Sequence, residues 1–208
     1  MHKLKNYIKS FRSFGRKVRL DKDIKLLKDE KVTVISQNCN GGIFLHDHKM
    51  KFLTPTINLY FSVPDFIKFC KNIEHYIHTP MERVDSKEYS YPLGKIDDII
   101  IHFVHYHSFD EAKEKWIERC KRIDSDNLYL MMTDRDGCSY EDLTEFDKLQ
   151  CKNKVVFVNK PYKEIKSACY VKGFETESYI GEIYSWKGIF GKRVWDDCDF
   201  NFANFIKS

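Results

Sequence analysis

Four groups of reactive side chains stand out, and each suggests its own chemistry. Ser36, Asn38, Cys39, Gly41 and Gly42 follow the apolar run of residues 32–35. Two adjacent glycines permit positive φ and a close backbone approach to a ligand. A helix starting at Ile43 would add the N–H groups of its first turn, which suit a phosphate. A thiol at such a junction gains acidity from the helix N-terminus. That makes Cys39 a nucleophile with a histidine as base, and the N–H groups of residues 40–42 an oxyanion site. The plainer reading of Cys39 is a small packed core residue.

Thr133-Asp134-Arg135-Asp136-Gly137 follows the apolar residues 128–132. Asp134 and Asp136 are two residues apart and can share a Mn²⁺ or Mg²⁺ held by a diphosphate, with Arg135 beside it as a further substrate contact. Strand–Asp-x-Asp is the arrangement by which many nucleotide-sugar glycosyltransferases hold their metal. A plain Asp-Gly turn is the competing reading. His102, His105 and His107 form the third group. Alternation along a strand places His105 and His107 on one face, where either suits a general base. Histidines satisfied by the backbone are the alternative. Lys115, Arg119 and Arg122 form the fourth, one face of a helix around Trp116. Arg119 there is a candidate for phosphate or an acidic glycan, against a solvated helix face. A glycine-rich phosphate loop of the ATPase or dehydrogenase type is absent.

The elements that position these groups alternate. Apolar runs at 31–36, 57–62, 99–106, 128–132 and 155–158 read as strands. Helical spacing runs from Pro64 through Ile77, with Thr79-Pro80 ending it. Ser108 and Glu111 make a capping box for a helix over 109–122, and a short helix covers 140–149. Residues 80–95 are polar and turn-rich. Beyond residue 167 glycines alternate with aromatics, which predicts a short hairpin or irregular tail. The expected fold is α/β, a three-layer sandwich with a mostly parallel or mixed central sheet flanked by helices. Residues 1–30 form a basic amphipathic arm, and 31–208 a single α/β domain with an aromatic-rich irregular C-terminal part.

The chain has 208 residues, 42% hydrophobic and 32% charged, which fits one domain. Its net charge of +4 is too small to demand nucleic acid. The seven cysteines are odd in number, irregularly spaced and lack a Cys-x-x-Cys pair, which argues against a disulfide framework or structural zinc. They read as reduced, mostly buried thiols of a cytoplasmic protein. The arm carries Lys3, Lys5, Lys9, Arg12, Arg16, Lys17 and Arg19 against Leu4, Tyr7, Ile8, Phe11 and Phe14. Such a helix either rests on the cytoplasmic face of an inner membrane or docks on its own domain.

Several ordered motifs resemble a bacterial family built on a domain of unknown function. They are Ser36-x-Asn38-Cys39-x-Gly41-Gly42, Thr54-Pro55-Thr56-Ile57, Pro64-Asp65, Tyr91-Pro92-Leu93-Gly94, His102-Phe103-x-His105-Tyr106, Trp116-x-x-Arg119 and Asp134-Arg135-Asp136. Members of that family occur in capsule and exopolysaccharide gene clusters. The resemblance implies an α/β fold and a role in building a surface polysaccharide, and supplies no mechanism.

Together these readings give three expectations. The first is a metal-assisted glycosyltransferase joining a nucleotide-sugar to a glycan or lipid-linked acceptor. It assigns Asp134 and Asp136 to the metal, His105 or His107 to the base, and Ser36, Asn38, Gly41, Gly42, Arg119 and Arg135 to the substrate. The second is a Cys39-dependent acyltransferase or hydrolase acting on the same polymer. The third is a non-catalytic glycan-binding component of the assembly machinery.

Overall fold

The computed structural model describes residues 2–208, with side chains from residue 5 onward. Lys3 and Leu4 of the expected amphipathic pattern lie outside the described side chains. In chain order the elements are α1 (His2–Arg19), α2 (Asp21–Leu26), β1 (Thr33–Ser36), α3 (Asn40–Asp47), β2 (Tyr60–Phe61), α4 (Val63–Lys71), α5 (Ile73–His78), β3 (Glu82–Val84), β4 (Leu93–Ile96) and β5 (Ile99–His102). They continue with α6 (Phe109–Cys120), β6 (Leu128–Thr133), α7 (Tyr140–Asp147), β7 (Lys154–Val158), β8 (Ala168–Tyr170), β9 (Trp186–Lys187), β10 (Lys192–Arg193), a 3-10 turn at Val194–Asp197, and α8 (Phe202–Lys207).

The apolar runs at 31–36, 128–132 and 155–158 supply β1, β6 and β7 of a parallel sheet in the order β1-β6-β7-β8. Alternation then divides each strand between two cores. Ile35, Leu130, Met132, Val156 and Val158 face α4, α5, α6 and α7. Val34, Tyr129, Met131, Val155 and Phe157 face α3, α8 and the segment around Ile180 and Trp195. A strand buried on both faces has no polar alternation, which is why these strands read as unbroken apolar runs. On the second face Phe44 stacks on Trp195 with ring centroids 3.8 Å apart. The architecture is the expected α/β sandwich, with helices on both sides of a parallel sheet.

A second sheet, β2-β5-β4-β3, is antiparallel. It abuts the end of β1: the Phe61 amide donates to the Gln37 carbonyl at 2.9 Å, and Gln37 Nε2 donates back to the Phe61 carbonyl at 3.2 Å. Two of its strands lie in the region expected to be turn. In β4, Gly94 and Lys95 interrupt a short apolar pattern, and its partner β5 supplies the burial. A left-handed Asp97 (φ 53°) closes that hairpin. The helix expected from Pro64 to Ile77 is two helices, broken at Asn72, whose side chain caps the second.

The N-terminal helix is tied to the body. Arg16 is buried and its Nε donates to Asp47 Oδ2 at 2.7 Å, while Nη1 donates to Asp196 Oδ2 at 2.6 Å. Gly191 (φ 71°) packs against the α1 backbone, where a Cβ would lie 2.1 Å from the Arg16 amide nitrogen. Among the described residues no helix is long and apolar enough to cross a membrane.

Candidate functional site

Parallel strands place their carboxyl ends on one edge, and ligands of open α/β sheets bind beyond that edge. Here the ends of β1, β6 and β7 lead into Gln37-Asn38-Cys39, Asp134-Arg135-Asp136 and Asn159. The first two ends are knitted together. Gln37 Oε1 accepts from the Thr133 amide at 3.2 Å and from Thr133 Oγ1 at 2.8 Å. Asn38 Nδ2 donates to Thr133 Oγ1 at 3.0 Å, while Asn38 Oδ1 accepts from the Asn40 amide at 3.1 Å.

Above this junction lies a cleft of about 330 Å³ lined by Asn38, Cys39, Asn40, Tyr60, Val104, His105, Arg135, Asp136 and Tyr184. Asn38, Cys39 and Asn40 come from the β1–α3 junction, Tyr60 from β2, and His105 from the turn after β5. Arg135 and Asp136 follow β6, and Tyr184 precedes β9. A larger hollow of about 540 Å³ lies at the amino-terminal edge of the sheet between Cys70, Leu128, Leu130 and Cys151. It lacks a comparable convergence of polar groups from separate strand ends.

Two polar atoms of the cleft residues have no partner. Asn40 is 5% exposed, yet its Oδ1 accepts nothing, and the buried Nε of Arg135 donates to nothing. Native interiors satisfy nearly all such groups, so the exceptions need an explanation such as an absent ligand or water. Asp136 stands in left-handed backbone (φ 58°) followed by Gly137 (φ 82°), and its exposed carboxylate forms no hydrogen bond or ion pair among the described residues. An Asp tolerates that conformation better than most side chains. Tyr60 forms one wall. Its ring stacks on His102 at 4.3 Å and its Oη hydrogen-bonds Tyr91 Oη at 3.0 Å. Burial pushes the Tyr60 phenol well above its ordinary value and lowers the His102 imidazole. His102 thus supports Tyr60 by stacking beneath its ring.

The structure separates residues that the sequence grouped. Asp134 is buried and fully engaged: Oδ2 accepts from the Asn159 amide and Oδ1 from the Ile180 amide, each at 2.7 Å. Burial pushes its carboxyl above the usual range, against the pull of those bonds. Asp134 therefore staples β6 to β7 and to the C-terminal segment, and the expected shared metal with Asp136 does not fit this arrangement. Among the described residues, no group of three or more His, Cys, Asp or Glu side chains is placed to ligate a metal.

Other expectations change for local reasons. β5 ends at His102, so His105 and His107 occupy a turn and strand parity does not govern them. His105 lines the cleft, and the exposed His107 does not. Ser36 is buried; its amide donates to Thr56 Oγ1 and its Oγ accepts from Gly41. Gly41 and Gly42 belong to α3 and lack positive φ. A Cβ on Gly41 would meet Ser36 Cβ at 2.6 Å, so that glycine serves the tight β1–α3 packing. Arg119 braces the core side by donating to the Ile57 carbonyl and to Tyr106 Oη. Cys39 lines the cleft, but burial raises its thiol pKa where the helix N-terminus was expected to lower it. All seven cysteines are unbridged and half-buried. Asn40, Tyr60, Val104 and Tyr184 are lining residues that the sequence did not single out. Asn40 lay inside the marked stretch, whereas no spacing signal connects Tyr184 with residues 38–40.

Residues 9–207 match the model of a domain of unknown function, DUF1919. The chain belongs to the DUF1919 family. An uncharacterized protein of Haemophilus influenzae is 47% identical to this DUF1919 chain over 174 residues, which is 84% of each sequence.

Proposed function

We propose that this DUF1919 protein is a transferase of surface-polysaccharide assembly, taking a nucleotide-sugar in the carboxyl-edge cleft. The observation that carries the reading is the convergence of polar groups without protein partners from the ends of β1 and β6 on one cleft. Arg135 suits the donor diphosphate. Asn40 suits a ribose or sugar hydroxyl, and Tyr60 and Tyr184 suit the flat faces of a base or sugar. In the reaction, an acceptor hydroxyl oxygen bonds to the sugar's anomeric carbon. The bond from that carbon to the diphosphate breaks, with its electron pair leaving on the diphosphate. Asp136 or His105 takes the hydroxyl proton. A Mn²⁺ or Mg²⁺ arriving on the diphosphate would meet Asp136 as its single cleft carboxylate. The acceptor is a glycan or lipid-linked sugar.

The test is a transfer assay across donor and acceptor panels with Asp136→Asn and His105→Ala. Loss of transfer in either variant, with donor binding retained, identifies the base. Undiminished transfer in both would sink the reading. Acyl transfer through Cys39 is the second reading, favoured by its sharing the cleft with His105. Its raised thiol pKa weighs against it. Binding without turnover across all donors would leave a glycan-binding component.

A further inference from the structure

The outer surface of α1 has an apolar stripe that stays largely exposed among the described residues. Tyr7, Phe11, Phe14 and Val18 are 74%, 49%, 66% and 61% exposed. At 3.6 residues per turn they fall within an arc of about 60°. The β9–β10 hairpin extends the stripe: Ile189 and Phe190 at its tip are 47% and 65% exposed, and Phe190 packs edge-to-face on Phe11 with ring centroids 5.7 Å apart. The two pieces form one unit. Arg12 Nε donates to the Gly188 carbonyl at 2.9 Å, and Gly15 and Gly191 let helix and hairpin meet backbone to backbone.

The charge that α1 contributes beside the stripe has one sign. The first acidic residue of the chain is Asp21, so α1 itself has none. Beside the stripe runs a groove of about 540 Å³ lined by Lys9, Ser10, Ser13, Lys17, His46 and Lys49 among others. Lys9, Lys17 and Lys49 are exposed and have no acidic partner among the described residues. The one carboxylate in the groove, Asp47, is neutralised by Arg16 and Arg193. An exposed aromatic stripe flanked by unpaired lysines matches an interfacial helix: the apolar edge enters the acyl boundary and the cations meet headgroup phosphates. A second copy of the chain would bring the same lysines together, like charge against like.

We propose that the α1 stripe and the Ile189–Phe190 tip form a face that lies on an anionic phospholipid surface, with the lysine groove receiving lipid phosphates. The hairpin begins two residues after Tyr184, whose carbonyl accepts from Arg193. Docking would therefore hold the cleft beside the membrane. The inference does not depend on the donor reading.

The experiment is co-sedimentation of the full chain with vesicles of phosphatidylcholine alone and of phosphatidylcholine mixed with phosphatidylglycerol, at low and high salt. The protein is expected on the anionic vesicles only, and less at high salt. Phe14→Glu with Phe190→Glu should abolish sedimentation. Lys9→Glu with Lys17→Glu should weaken it by more than about tenfold, since each basic residue near the surface contributes on the order of fivefold. Ile117→Glu, an exposed apolar position on α6, should bind as the native chain does. Thermal midpoints of all variants confirm that they are folded. Absence of binding to anionic vesicles, or binding unaffected by the stripe and lysine variants, would overturn the proposal. So would a solution dimer that the Phe14→Glu, Phe190→Glu variant dissociates while vesicle binding is absent.

Discussion

Two regions of this molecule gather polar side chains, and they are completed differently. Around Asp47, both carboxylate oxygens are taken. Oδ2 accepts from Arg16 Nε at 2.7 Å and from Arg193 Nε at 2.6 Å, and Oδ1 from Arg193 Nη2 at 3.0 Å. Asp196 receives Arg16 Nη1 and the Arg193 amide. At the carboxyl-edge cleft, Asn40 Oδ1 and Arg135 Nε lack partners and Asp136 is unpaired. The first cluster joins α1, α3 and the C-terminal segment, and its completeness is what a structural role requires. A buried charge left uncompensated is costly. The second leaves these groups without protein partners. Among the charged side chains of these two regions, saturation separates those that hold the fold from those without protein partners. Asp134 and Asp136, two residues apart, fall on opposite sides of that line.

Breaking the saturated cluster should have the largest effect. Asp47→Asn leaves two buried arginines short of charge and should cost about 3–5 kcal/mol in denaturant unfolding. Burial raises the Asp47 carboxyl, but the bonds and charge of Arg193 and Arg16 together outweigh it and hold the pKa low. Its stabilisation is therefore complete above the unfolded value of about 3.9 and is lost as pH falls through the lower folded value. Acid unfolding of the native chain should include this loss, and Asp47→Asn should lack it. Equal acid profiles for the two proteins would contradict the assignment.

The next largest effect separates the two neighbouring aspartates. Asp134→Asn turns an amide toward two backbone N–H donors and should lower stability by about 1–3 kcal/mol. Asp136→Asn should change stability by less than about 0.5 kcal/mol, as is usual for exposed positions. If Asp136 is the base, that variant should slow transfer by about 10²–10⁴-fold. The contrast fails if Asp136→Asn unfolds the protein as readily as Asp134→Asn. The smallest effect concerns Cys39. With its thiol pKa raised, alkylation at neutral pH, followed by mass spectrometry of the seven cysteines, should show Cys39 labelled no faster than the others. Rapid, selective labelling would revive the acyl-transfer reading.

The architecture was largely legible in the sequence because the central strands are buried on both sides. Residues 32–35, 128–132 and 155–158 had no alternative as continuous apolar runs. β4 was not legible, because Gly94 and Lys95 interrupt a short pattern that only its pairing with β5 completes. The cleft was legible in part. Asn38, Cys39, Arg135 and Asp136 were marked by their positions beyond strand ends, and His105 by a strand alternation that the structure replaces with a turn. Tyr60 and Tyr184 reach the same cleft from distant segments that no local pattern connects. The different fates of Asp134 and Asp136 depend on the Ile180 amide, 46 residues further along the chain than Asp134.

The central claim is that the unsaturated cleft binds a nucleotide-sugar through Arg135. Its most direct test is a thermal-shift titration of nucleotide-sugars, with Mn²⁺ or with EDTA, on the native chain and on Arg135→Ala. A donor at ~100 times its dissociation constant should add about 2.7 kcal/mol of stability. The account predicts a donor-dependent rise in midpoint that persists in EDTA and is lost in Arg135→Ala. A rise equal in both proteins, or no rise with any donor, would contradict it.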